Sequence, residues 1–147
     1  RRSSDLDSAG STIALAGAVS TLTSLEAGRW TVCTSANPNL ARARLAAAGL
    51  PIPAELVTAA DVKNGKPHPE PYLVAAEKLS VEPRTCVAIE DSPTGIRSAE
   101  AAGMPTLGVK FLVDIEEAPG RSRAKSLEQI SLADLRRIAA GEVLELL

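Results

Sequence analysis

A short apolar run that stops at two acids and restarts as a helix limits this chain more than any other feature. Cys86-Val87-Ala88-Ile89 gives way to Glu90-Asp91, then to Ser92-Pro93, and then to a helical pattern over Pro93 to Ala102 that Gly103 ends. An apolar run this short, bounded by turn residues, reads as a buried strand. Pro93 suits a first helical turn, where its missing N–H would be unpaired in any case. The two carboxylates are thereby placed at the carboxyl end of a strand, which is where open α/β sheets bind ligands.

The same unit recurs along the chain. Gly17 to Ala27 carries Val19, Leu22 and Leu25 at helical spacing, and Gly28 follows. Trp30-Thr31-Val32-Cys33 is a β-rich run that ends at Thr34-Ser35-Ala36-Asn37. Asn37 as N-cap and Pro38 as first residue open a helix to Ala48, closed by Gly49. Leu56-Val57-Thr58 is a weaker strand, and Tyr72 to Leu79 is helical. Thr85 to Ile89 and Pro105 to Val109 complete the strands. Phe111 to Gly120 reads as a loop or short helix, and Leu127 to Leu147 as one or two amphipathic helices. Strands alternating with helices predict an α/β fold, a Rossmann-like parallel sheet flanked by helices. Residues 1–12 are polar and small and read as a loose tail, leaving 13–147 as the domain.

Composition narrows the function classes. The chain has 147 residues, 45% hydrophobic and only 2% aromatic, so the core is expected to be aliphatic and small-residue. A net charge of -2 advertises no basic surface for nucleic acid. No apolar run reaches the roughly 20 residues of a membrane span. Cys33 and Cys86 fall in predicted buried strands, which favours free thiols, a reducing compartment and a cytoplasmic location.

The strand ends carry the chemistry. Adjacent Glu90 and Asp91 repel each other unless a cation sits between them. Mg²⁺ is the natural ion, because it prefers oxygen ligands and usually takes one or two protein carboxylates. The alternative is that Ser92 or Asp91 simply caps the helix. Thr34 and Ser35 either cap or, with the free N–H groups of a helix start, hold a phosphate. Pro67, Pro69 and Pro71 exclude regular structure around Lys66 and would fix its positive charge on a rigid loop. His68 is read as orienting that loop rather than as a general base. Asp5-Leu6-Asp7 has the form of a metal or phosphoryl site, yet no apolar strand precedes it. A hydroxyl, a fixed ammonium and an acid pair together describe a phosphoryl site.

V-C-T-S-A-N, K-N-G-K-P-H-P-E-P-Y and V-A-I-E-D-S-P-T-G-I-R-S-A-E-A-A-G, in this order, resemble the second, third and fourth motifs of the haloacid dehalogenase superfamily of phosphotransferases. The resemblance runs over roughly Ile13 to Val109. Within the superfamily, W-T-V-C-T-S and the Lys66 loop are most similar to fungal glycerol-3-phosphatases and 2-deoxyglucose-6-phosphatases. The resemblance implies a Mg²⁺-dependent phosphatase of small sugar or polyol phosphates, acting through an aspartyl-phosphate. It implies that Thr34, with Ser35 and less directly Asn37, binds the substrate and its phosphoryl group. Lys66 would neutralise phosphoryl charge, and Asp91 would bind Mg²⁺ with Glu90 in support. A β-phosphoglucomutase-like phosphomutase and a non-catalytic remnant that acts as a binding domain are the competing readings.

The family's first motif, an apolar strand leading into D-x-D-G-T, has no convincing counterpart. Asp5-Leu6-Asp7-Ser8 lacks both the strand and the Gly-Thr turn, and it lies too close to Thr34 for a cap domain between them. I-A-L-A-G-A-V from Ile13 resembles the return from such a cap. The chain, which begins with arginine, is thus expected to be the C-terminal portion of a longer protein. It is expected to hold an incomplete core without a cap and to have little or no activity by itself.

Overall fold

The computed structural model describes residues 28–147. The expected tail, the Asp5-Leu6-Asp7 stretch and the first helix lie outside them. Four helices and four strands follow in chain order: α1 (Pro38–Ala47), α2 (Glu70–Lys78), β1 (Ala88–Glu90), α3 (Pro93–Ala101), β2 (Thr106–Val109), β3 (Arg121–Ala124), α4 (Leu132–Ala139) and β4 (Glu145–Leu146). The strands form one sheet in the order β1-β2-β3-β4. Every pair is parallel, with Glu90 opposite Gly108 and Val109 opposite Ala124. The architecture is the expected Rossmann-like one.

Helix boundaries follow local chemistry. The Asn37 side chain accepts from the Leu40 N–H, and Pro38 opens α1. The Ser92 side chain accepts from the Gly95 N–H, and Pro93 opens α3. Gly103, at φ +81, ends α3 in a backbone region costly for any residue with a Cβ. α4 begins in a capping box between Ser131 and Asp134.

Several expectations are corrected. α2 starts at Glu70 rather than Tyr72, with Pro71 in its first turn, where a missing N–H is harmless. Trp30 to Cys33 and Leu56 to Thr58 pair only through one parallel bridge, Cys33 with Val57. Thr85 belongs to a 3₁₀ turn, Pro83–Thr85, and β1 begins at Ala88. The carboxyl-terminal region is not all helical, since it ends in β4. β3 was not expected, because Arg121-Ser122-Arg123-Ala124 has no apolar run. Its alternating residues Ser122 and Ala124 are buried, while Arg121 and Arg123 are half-buried and pair with Glu100 and Glu145.

Two apolar clusters clamp the sheet. Tyr72, Ala76, Ala88, Ala99, Ala102 and Met104 form one, bringing α2 and α3 onto β1. Leu107, Val109, Ala124, Ile130, Ile138 and Leu144 form the other, with α4 against β2 and β3. The hydroxyls of Thr106 and Ser122, buried in the sheet, are satisfied. Thr106 donates to the Met104 carbonyl at 3.0 Å, and Ser122 accepts from the Leu144 N–H at 3.0 Å.

Candidate active site

Lys66 rides on a loop that is tied down at both ends. The Glu70 carboxylate accepts from the Lys63 N–H at 2.7 Å, the Asn64 N–H at 3.1 Å and the Asn64 amide at 3.0 Å. Those bonds, the Lys63 N–H first, hold the Glu70 carboxyl below its usual range. On the other side, the Ser98 hydroxyl of α3 donates to the His68 carbonyl at 2.6 Å. His68 Nδ1 accepts from the Glu70 N–H at 3.0 Å, so this histidine orders the loop as expected.

From that loop the Lys66 ammonium bridges two strand ends. It donates to the Cys33 carbonyl at 3.1 Å and to Glu90 Oε2 at 2.6 Å. Both side chains of the ion pair are largely buried, at 14% and 9% exposure, so water screens the pair little. Cys33 immediately precedes Thr34, and Glu90 immediately precedes Asp91. Three motifs far apart in sequence are thus drawn together by one ammonium group.

Tyr72 donates its hydroxyl to the same Glu90 oxygen. Burial above all, and then the Glu90 carboxylate, push the Tyr72 phenol far above its usual pKa. The Cys33 thiol, which donates to the Pro71 carbonyl at 3.4 Å, is pushed up to about 12 by burial, against the opposing pull of Lys66. Gly95 lies so close to Glu90 that a Cβ there would overlap its carboxylate.

The remaining expected residues divide clearly. Thr34 Oγ1 accepts from the Ala36 N–H at 3.1 Å, and that leaves its own proton free for another acceptor. Ser35 is exposed beside it. Asn37 caps α1, with Oδ1 accepting from the Leu40 N–H at 2.9 Å. Ser92 alone meets the capping role at α3, through the Gly95 N–H at 3.1 Å. Asp91, half-buried, is therefore not used as a cap.

This donor set fits Mg²⁺ through Asp91. Mg²⁺ is commonly held by one or two carboxylates together with water and substrate phosphate. Glu90 is committed to Lys66 and Tyr72, and among the described residues no three His, Cys, Asp or Glu side chains gather. Asp91 is the carboxylate left open to a cation.

Tyr72, Glu70, Ser98 and Gly95 were not singled out as site residues from the sequence. Gly95 had a weak signal, since a glycine inside a helical pattern costs helix stability and so points to a packing reason. Ser98 had none, because a serine on a helix face says nothing about its partner.

A model of the haloacid dehalogenase-like hydrolase family matches residues 7–103. Hexitol phosphatase A of Escherichia coli (strain K12) is 45% identical over 103 residues, which is 69% of this chain and 48% of that protein. Glycerol-1-phosphate phosphohydrolase 2 of Saccharomyces cerevisiae is 34% identical over 102 residues, 65% of this chain and 41% of that protein. The chain spans about half the length of the curated relatives it matches. Among solved structures, CbbY from Rhodobacter sphaeroides in complex with phosphate superposes with a TM-score of 0.71 and 28% identity, over 82% of this chain and 58% of that one. With its sheet, its three motifs and this family match, the chain belongs to the haloacid dehalogenase-like hydrolases.

Proposed function

We propose that this chain is the phosphoryl-binding portion of a Mg²⁺-dependent phosphatase acting on phosphate monoesters of small sugars or polyols. The Lys66 ammonium carries the reading, held between the residues that precede Thr34 and Asp91. A buried, preorganised positive charge next to a free hydroxyl is suited to a phosphoryl group, because neither has to reorganise when charge develops. Lys66 neutralises the phosphoryl oxygens, and the Thr34 hydroxyl donates to one of them. Asp91 would hold Mg²⁺, which when bound screens an anionic nucleophile from an anionic substrate. The relatives that dephosphorylate hexitol and glycerol phosphates support the substrate class. The free Cys33 and Cys86 support a cytoplasmic location.

None of Thr34, Lys66 and Asp91 takes the role of nucleophile, and the sequence holds no convincing counterpart of the family's first motif. The chain alone is therefore proposed to bind phosphate without hydrolysing esters. The test is an inorganic phosphate titration followed by amide NMR, with and without Mg²⁺. Shifts are expected to centre on Thr34, Ser35 and Lys66. Lys66→Ala is expected to weaken binding about tenfold or more, and Asp91→Asn to remove only the Mg²⁺ dependence. Phosphate binding unchanged in Lys66→Ala overturns the reading. Ester hydrolysis by the chain alone overturns the proposed division of labour.

A further inference from the structure

Among the described residues, Tyr72 touches both members of the Lys66–Glu90 pair. Its side chain is buried in the α2–α3 cluster with Ala76, Ala88, Ala99 and Met104. Its hydroxyl donates to Glu90 Oε2, the oxygen that also receives the Lys66 ammonium. The same ammonium stands 5.3 Å from the centre of the Tyr72 ring, within range of a cation–π attraction. The far side of the Glu90 carboxylate lies against Gly95, where not even a Cβ would fit. With two donors on one oxygen and backbone behind the other, the carboxylate cannot rotate without losing a bond.

We propose that Tyr72 is a positioning residue, whose hydroxyl fixes the Glu90 carboxylate and thereby aims the Lys66 ammonium at the phosphoryl group. The phosphoryl part of this statement rests on the function proposed above. The aiming of Lys66 does not. The desolvated phenol stays protonated, so it acts as a donor at any ordinary pH. Tyr72→Phe is a clean probe: it keeps the ring, its packing and its contact with Lys66, and it removes one hydroxyl.

The experiment follows the Lys66 ammonium by ¹⁵N NMR and, in parallel, the affinity for inorganic phosphate. In the wild-type chain the Lys66 signal is expected to be that of an ordered group. In Tyr72→Phe it is expected to become motionally averaged, with phosphate affinity down about tenfold, the scale of a bond to a charged group. Because Tyr72 acts through Glu90, adding Tyr72→Phe to Glu90→Gln is expected to change affinity less than about twofold. A Lys66 signal unchanged in Tyr72→Phe overturns the proposal, as do effects of the two substitutions that multiply. A wild-type chain that binds no phosphate removes the phosphoryl reading, while the ammonium signal still decides the role of Tyr72. If Tyr72→Phe fails to fold, the wild-type chain supplies the answer. Its phenolic proton is expected to be protected enough for direct observation, and fast exchange with water overturns the proposal.

Discussion

At the scale of single residues, Gly95 shows how little room the site leaves. A methyl group there would meet the Glu90 carboxylate, which could move only by leaving Lys66 and Tyr72. Alanine favours a helix over glycine by about 1 kcal/mol, but overpacking and a broken buried pair outweigh that gain. Gly95→Ala is expected to destabilise the chain by about 1–3 kcal/mol in thermal or urea melts and to weaken phosphate binding. Cys33 allows a second prediction. Its thiol pKa rises from 9.0 to about 12, so the stabilisation from keeping it neutral is present below 9.0 and is lost as pH rises towards 12. At pH 8 its alkylation in the native chain should be slower than in the guanidinium-unfolded chain by more than about a hundredfold, as read by mass spectrometry.

At the scale of elements, the Lys66 loop depends on an acid at the start of the next helix. The Glu70 carboxyl lies below its ordinary value of 4.5 when folded, so its hold on Lys63 and Asn64 is complete above 4.5. That hold is lost as pH falls through the lower folded value. Hydrogen exchange, corrected for intrinsic rates, should show steady protection of the Lys63 and Asn64 amides from pH 7 to 4.5 and a loss only below that. Glu70→Gln should flatten the profile. At α4, Ser131→Ala removes the acceptor for the Asp134 N–H and should lower stability by about 1 kcal/mol in a thermal melt.

Elements with strong local chemistry were legible in the sequence. α1 and α3 announced themselves by a cap, a proline and a closing glycine. β1 and β2 did so through apolar runs. β3 was hidden because only Ser122 and Ala124 face inward, too small a pair to register as hydrophobic. Trp30 to Cys33 looked stronger than it is, since strand propensity does not supply a neighbour. At the site, charged and hydroxyl residues at strand ends were readable. The hydrogen bonds that aim them were not, because Tyr72 meets Glu90 only once α2 packs onto the end of β1.

At the scale of the whole molecule, the two clusters differ in grain. The α2–α3 side is built largely of alanines, and the α4 side of Leu107, Ile138, Val109 and Leu144. Deleting bulk is therefore costly on one side and adding it on the other. Leu107→Ala should cost about 2–5 kcal/mol, through lost burial and the cavity left behind. Ala99→Leu should cost about 1–3 kcal/mol through overpacking, and more where the strain reaches Tyr72. Urea titrations of the two variants measure both.

The bond from Ser98 to the His68 carbonyl ties the lysine loop to the helix that follows Glu90 and Asp91. That tie holds the loop against the helix before any anion arrives. In kinetic terms, phosphate should associate in a single phase whose observed rate rises linearly with concentration, without the plateau that a preceding rearrangement imposes.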